Sequence, residues 1–397
     1  MCYRGGMQDV PPAPHGVFLY PLADRVLYGP GQVAALPDEV ARLGGRRAFV
    51  ITGRSLATTT GIVRRVEMLL GARHAGTFAG ISQHVPSRSV IEAAQQARDA
   101  QADLLVSVGG GSPIDGAKLV ALALAEGWTE PAQLTGQATR GPRADPPRPL
   151  LPHVAISTTL SAAEFTPAAG VTDEATRFKG GHRHPAMVPK VAILDPELTL
   201  ATPWPLWAAT GIKALDHAVE RLLVPARQPF TSPLCREAIR LLLEHLPRSG
   251  TERPDALARR GHCQVAAWLS IYGYPHVPTG LSHALGHQMG AFWGLPHGVT
   301  SCITLPPVVR HVGRTAPAAL AEVAQAFGLP GDAPDVGEQI AGRIAALVAQ
   351  LGLPARLRDA GVDKAQLPPL VAATVHELQG RGLTTEDEIR SLLLACW

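Results

Sequence analysis

Asp103-Leu104-Leu105-Val106-Ser107-Val108-Gly109-Gly110-Gly111-Ser112-Pro113-Ile114-Asp115-Gly116-Ala117-Lys118 sets the class of fold. Residues 103–108 form a short, nearly continuous apolar run, the pattern of a parallel strand buried on both faces. The run stops at three glycines, and helical spacing follows. Without side chains the backbone can approach a ligand closely, and a helix N-terminus presents free N–H groups to an anion. Ser112 suits a helix cap and Pro113 a first turn. Gly109, Gly110, Gly111 and Ser112 therefore read as a pyrophosphate turn, and the ligand as a dinucleotide. The segment is neither G-x-G-x-x-G nor a Walker A loop, which needs Gly-Lys-Ser/Thr. A tight turn without a ligand is the alternative, and three consecutive glycines in this context weigh against it.

The pattern repeats on both sides. Upstream, residues 34–44 read as a helix and Arg47–Thr52 as a buried strand closed by Gly53. A helix over 59–70, a strand over 76–81 and a helix over 90–100 follow. Downstream, the Pro-, Gly- and Arg-rich residues 126–150 read as a long surface connection. Leu151–Leu160 reads as a strand ending in Thr158 and Thr159. Their hydroxyls would lie at the carboxyl edge of a parallel sheet, where open α/β sheets bind ligands. Val191–Pro196 reads as the last strand. This alternation predicts a doubly wound, mostly parallel α/β domain over 16–199, preceded by a flexible, Pro-rich segment over 1–15. From Thr202 the strand pattern gives way to helical periodicity at 208–223, 232–246, 255–271, 281–293, 315–327, 335–352 and 384–396, so 200–397 reads as an all-α domain.

Within that second half, Gly280–Gly298 reads G-L-S-H-A-L-G-H-Q-M-G-A-F-W-G-L-P-H-G. His283 and His287 lie one turn apart on one helix face. Gly294-Leu295-Pro296 ends the helix, and His297 just beyond can fold back toward them. Such a set builds a polar or metal-binding pocket. Lys213 and His217 form a second pair four apart. Asp216 between them reads as an ordinary exterior residue.

Composition bounds the partners. The 397 residues are 46% hydrophobic and 17% charged, enough for two cores and too ordered for a disordered chain. A net charge of +3 is too small to imply nucleic acid or an anionic membrane as partner. The five cysteines (Cys2, Cys235, Cys263, Cys302, Cys396) are scattered, with no C-x-x-C pair. They read as reduced thiols of a cytoplasmic protein. No signal peptide or membrane-spanning run is visible.

Taken together, G-G-G-S-x-x-D-x-A-K at 109–118, T-T at 158–159, D-P-E-L at 195–198, T-G-x-x-A-L-x-H-A-x-E at 210–220 and the histidines at 283–297 resemble the iron-containing alcohol dehydrogenase superfamily. Within it the chain looks most like maleylacetate reductase, through His84-Val85-Pro86, Thr166-Pro167 with Gly170, and Gly294–His297. The resemblance implies a Rossmann-like N-terminal domain, an all-α C-terminal domain, a cleft between them and a homodimer. It also implies that His217, His283 and His297 match metal-ligand positions, and that His287 lies near the nicotinamide. Asp115, Thr158, Thr159 and Lys179 match cofactor-side positions.

Three departures shape the expectation. Where the family has its fourth ligand, an Asp, stands Lys213, and a protonated ammonium repels a divalent cation. Leu160–Glu164 reads L-S-A-A-E where G-T-G-S-E is usual. Gly53 replaces an acidic residue after the second strand, and Arg54 follows it, which admits the 2′-phosphate of NADPH. The resulting expectation is an NAD(P)H-dependent, metal-independent reductase of a small acidic carbonyl or enone. Its catalytic residues would be Lys213, His217, His283, His287 and His297. Two alternatives stay open: a redox-inactive enzyme doing acid–base chemistry, and a metal-dependent dehydrogenase using His217, His283 and His297.

Overall fold

A computed structural model describes residues 23–138, 143–176, 179–274, 276–378 and 385–397. The expected flexible segment over 1–15 lies outside them. Eight strands are present among the described residues: β1 (Arg25–Tyr28), β2 (Ala48–Thr52), β3 (His74–Phe78), β4 (Leu104–Gly109), β5 (His153–Ser157), β6 (Ala168–Thr172), β7 (Lys179–Arg183) and β8 (Val191–Leu194). Six make one sheet in the order β1-β8-β5-β4-β2-β3. Every neighbouring pair in it is parallel. β6 and β7 form a separate antiparallel pair.

The sheet is doubly wound because its central strands carry apolar side chains on both faces. Along β2 and β4, Phe49, Ile51 and Leu105 enter one core with Val90 and Leu119. Val50, Leu104, Val106 and Val108 enter the opposite core with Val63 and Ile156. This is the period of two expected of a pleated strand. From β2 the chain runs outward to β3 and then returns to β4 on the other side of β2. The carboxyl ends of β2 and β4 therefore flank the topological switch point, where open α/β sheets hold their ligands.

The second half is helical. Trp204–Leu223 is its central helix and 15 of its residues are buried. It packs with Thr231–His245, Ala256–Ile271, His297–Thr315 and Val336–Gln350 around one core that also takes in Leu160, Phe165 and Leu194 from the α/β half. Trp207 is wholly buried there, with its indole N–H on Ser249 Oγ at 2.8 Å and the Arg260 guanidinium 4.5 Å over its ring. A smaller core joins Leu281–Trp293 to Leu367–Leu378 and Glu386–Cys396. None of the helices is long and apolar enough to cross a membrane, among the described residues. Cys235, Cys263, Cys302 and Cys396 are buried free thiols.

Several boundaries differ from the sequence expectation. The helix expected over 59–70 is two, Arg54–Thr59 and Ile62–Leu70, broken at Gly61. The strand expected over 76–81 is β3, shifted toward the N-terminus. β5 ends at Ser157, so Thr158 and Thr159 lie just past the strand. β1, β6 and β7 were not expected: β1 is only four residues long, and β6 and β7 are rich in Gly and Ala, with little apolar signal. The connection over 126–150 contains a short helix, Pro131–Gly136. Over 315–327, where one helix is expected, the chain forms a 3-10 turn, Pro317–Leu320, and a six-residue helix, Ala321–Ala326; the longer helix before them, His297–Thr315, carries Pro306 and Pro307 in its interior and was not expected. Leu367–Leu378 is a further helix the periodicity did not mark.

Candidate active site

The glycine turn leads from β4 into the helix Gly111–Glu126. Gly109 has φ 141°, a conformation that excludes ordinary side chains. A Cβ on Gly110 would lie 3.0 Å from Thr159 Cγ2, and one on Gly111 would lie 3.3 Å from Ser161 Cβ. The turn is thus pressed against the loop after β5, and Thr158 N–H donates to Gly109 O at 2.9 Å. The expected Ser112 cap is not formed. Gly110 occupies the cap position and Ser112 falls inside the first turn, because the helix starts two residues earlier. Gly53 sits across the switch point. A Cβ there would lie 3.1 Å from Ile81 O and 4.0 Å from Pro113 Cγ. Arg54, the first residue of its helix, is exposed. Gly53, Gly109–Ser112, Thr158 and Thr159 are therefore gathered at one sheet edge, with Arg54 beside them. Lys179 opens β7, and its side chain lies outside the described part of the structure.

Beneath the turn, Lys118 is 1% exposed. Its ammonium donates to Ala163 O at 2.6 Å, Ala168 O at 2.9 Å, Thr166 Oγ1 at 3.1 Å and Asp115 Oδ1 at 3.3 Å. Burial lowers its pKa and Asp115 opposes the shift. This buried cation ties the L-S-A-A-E loop to the glycine helix. Glu164 ends that loop. It is 2% exposed, its Oε2 has no hydrogen-bond partner, and burial pushes its pKa up to about 7.

The helical half supplies the histidines. Lys213 and His217 lie one turn apart on Trp204–Leu223, while His283 and His287 repeat that spacing on Leu281–Trp293. Gly294 at φ 66° closes the latter helix, Pro296 caps the next, and His297 is its first residue. Glycines set these helices close together. A Cβ on Gly298 would lie 2.6 Å from the Ala209 carbonyl, and one on Gly286 would lie 2.7 Å from Thr300 Oγ1. Ring centroids are 5.3 Å apart for His217 and His283, 4.8 Å for His283 and His287, 5.3 Å for His287 and His297, and 6.5 Å for His283 and His297. The five residues expected to be catalytic lie on these three helices. His217 is buried, His283 and His297 are half-buried, and His287 is exposed.

Asp216 and Glu220 complete the floor. Asp216 is not an exterior residue. It is 0% exposed and takes the Ser282 hydroxyl on Oδ2 at 3.0 Å. Glu220 accepts backbone N–H groups from Ser282 at 2.6 Å, Gly280 at 2.9 Å and His283 at 3.2 Å. It thereby caps the histidine helix, where a carboxylate complements the helix dipole. Burial raises both carboxyls, Asp216 to about 7. Burial, and next Lys213, hold His217 well below the usual imidazole range, so its ring is neutral. Lys213 is half-buried. Burial lowers its pKa, and Asp115, Asp216 and Glu164 oppose that shift. Asp115 and Glu164 belong to the glycine-turn side, so the two clusters meet electrostatically at Lys213.

Five residues of this region were missed as site residues: His84, Lys118, Glu164, Asp216 and Glu220. Lys118, Glu164 and Glu220 each end a motif already quoted, G-G-G-S-x-x-D-x-A-K, L-S-A-A-E and T-G-x-x-A-L-x-H-A-x-E. An acid i+4 from a buried acid, just before a histidine helix, is the signal that could have exposed the last pair.

A parallel sheet with a glycine turn at its switch point, facing histidine-bearing helices, is the architecture of a two-domain oxidoreductase. The family model for iron-containing alcohol dehydrogenases matches residues 23–196, and the model for the C-terminal part of that family matches 207–396. The chain belongs to the iron-containing alcohol dehydrogenase family and is an oxidoreductase. Among its relatives is maleylacetate reductase 2 of Cupriavidus pinatubonensis, 37% identical over 307 residues, covering 77% of each chain. The 1,3-propanediol dehydrogenase of Citrobacter freundii is 32% identical, covering 89% of this chain and 91% of its own. The crystal structure of maleylacetate reductase from Agrobacterium tumefaciens superposes with a TM-score of 0.79 at 27% identity, covering 96% of this chain and 99% of that one.

Proposed function

We infer that this chain is an NAD(P)H-dependent reductase of a small acidic carbonyl or enone substrate, similar in activity to maleylacetate reductase, and that it works without a metal ion. The observation that carries the reading is Lys213. It stands one turn before His217 with the acidic side chains of Asp115, Asp216 and Glu164 around it.

The glycine turn fits a dinucleotide. It lies at the switch point, and the free N-terminus of a 16-residue helix faces outward from Gly110 and Gly111. Residues 16–199 hold this cofactor side, and 200–397 the histidine side. When bound, the reduced nicotinamide supplies a hydride. Lys213, in its ammonium form, donates to the substrate carbonyl oxygen and offsets the negative charge developing there. Neutral His217 lies beside Lys213 without competing for its charge, since like charges disfavour each other. His283 and His297 line the pocket between. His287, exposed at its rim, exchanges the proton the product oxygen needs with water.

The donor set does not fit a divalent ion. A protonated Lys213 replaces a ligand. Nor do the ligand atoms of His217, His283 and His297 converge. Among the described residues, only those of Asp216, Glu220 and His283 form a group within 4.8 Å of one another. The Glu220 oxygens there are already taken by three N–H groups.

The test is NAD(P)H consumption with maleylacetate and related keto acids before and after exhaustive chelation, with elemental analysis of the purified protein. Activity should survive chelation and should not rise with added Fe²⁺ or Zn²⁺. A stoichiometric metal with chelator-sensitive turnover would overturn the metal-independent reading.

A further inference from the structure

His84 reaches the histidine cluster from the opposite half of the molecule. It lies between β3 and the helix Ser87–Asp99. Its backbone has φ 65° and that of Val85 has φ 54°. Two successive non-glycine residues in the left-handed region are uncommon, and for a β-branched Val the conformation is an outlier. Such strain persists only where the surroundings over-determine it. Here Thr172 provides the clamp: its hydroxyl donates to His84 O at 2.7 Å and its N–H donates to Val85 O at 3.0 Å.

The clamped residue points at one place. His84 Nε2–H donates to Gly294 O at 3.3 Å, on the turn that leads into His297. Its ring meets the His297 ring edge-on, with centroids 5.8 Å apart at 82°. Gly290 leaves room for both rings. A Cβ there would lie 3.4 Å from His297 Cε1 and 3.7 Å from His84 Cε1.

We propose that His84 is a positioning residue that latches the α/β half onto the Gly294–Pro296 turn and fixes the plane of the His297 ring. The carbonyl bond sets its tautomer, with the proton on Nε2, and the edge contact sets its orientation. The role resembles the outer groups that orient active-site histidines elsewhere. The inference rests on His297 belonging to the working site.

The test uses His84→Ala, His84→Gly and His84→Gln in the full chain. Alanine and glycine should lower kcat by about tenfold or more, with little change in KM for NAD(P)H. Both should speed amide hydrogen exchange at 294–300. Glutamine places its amide nitrogen close to the position of His84 Nε2 and can donate to Gly294 O, so it should restore much of both. Glycine relieves the strain, so its loss of kcat should come without a lower Tm, which separates positioning from folding. Wild-type exchange at 294–300 in the glycine variant overturns the proposal, as does wild-type kcat. Should the wild-type protein reduce no carbonyl, the reductase reading fails, and the exchange measurement still decides the latch.

Discussion

Glu220 Oε1 lies 2.6 Å from the backbone nitrogen of Ser282, the tightest of the three bonds by which one helix caps another. The central helix thereby holds the helix that carries His283 and His287. Glu220→Gln replaces one acceptor oxygen with an amide that can only donate toward those N–H groups. The expected cost is on the order of 1–3 kcal/mol in urea unfolding. A variant with an unchanged midpoint would show that the cap is redundant.

Gly110→Val should weaken NAD(P)H binding by about tenfold or more, equivalent to about 1.4 kcal/mol. The added Cβ meets Thr159 Cγ2 at 3.0 Å, so the turn must shift away from the loop behind it. Fluorescence titration of a variant with a wild-type circular dichroism spectrum measures this. Unaltered affinity would remove the glycine turn from the cofactor site.

Cofactor choice turns on Arg54, exposed at the start of its helix beside Gly53. Arg54→Ala should reduce affinity for NADPH by about fivefold more than for NADH, because only NADPH brings a 2′-phosphate to the guanidinium. Parallel losses for both would mean that Arg54 does not reach that phosphate.

Lys213→Asp exchanges a cation for a carboxylate beside His217. Two effects should follow together. Reductase activity should fall by about 100-fold or more with the loss of oxyanion stabilisation. Zn²⁺ binding, followed by calorimetry, should appear or tighten. Equal Zn²⁺ binding in the wild-type protein would favour a three-histidine metal site.

Glu164 predicts a pH dependence of stability. Its ordinary pKa is 4.5 and burial lifts it to about 7 in the folded chain. The folded state therefore keeps a proton that the unfolded state releases. The associated stability is fully present below pH 4.5 and is lost as pH rises to about 7, on the order of 3 kcal/mol at most. Glu164→Gln should flatten that slope in denaturation curves taken from pH 4 to 8. An unchanged slope would assign it to other groups.

Much of this is legible in the sequence, because it rests on local patterns. Phe49, Val50, Ile51, Leu104, Leu105 and Val106 announce strands buried on both faces, and Gly294-Leu295-Pro296 announces the break before His297. What stayed hidden depends on contacts distant in sequence. Asp216 reads as exterior because nothing local shows that Ser282 will cover it, 66 residues away. β6 and β7 pair through Gly170 and Gly181, which carry no apolar signal. Pro306 and Pro307 argue against a helix locally, yet both are buried within one, where packing against neighbouring helices outweighs two lost donors.

The way Lys118 grips its loop has a further consequence. Two of its partners, Ala163 O and Ala168 O, are main-chain atoms that every residue possesses. The path of the loop is thus dictated largely independently of which side chains it carries. Leu160, Ser161 and Ala162 are packed in place, but the half-buried Ala163 can be exchanged, altering what lines the wall behind the glycine turn, while the wall itself stays in place. Such a segment is suited to changing, by a single substitution, what the glycine turn rests against, with the scaffold beneath it left untouched.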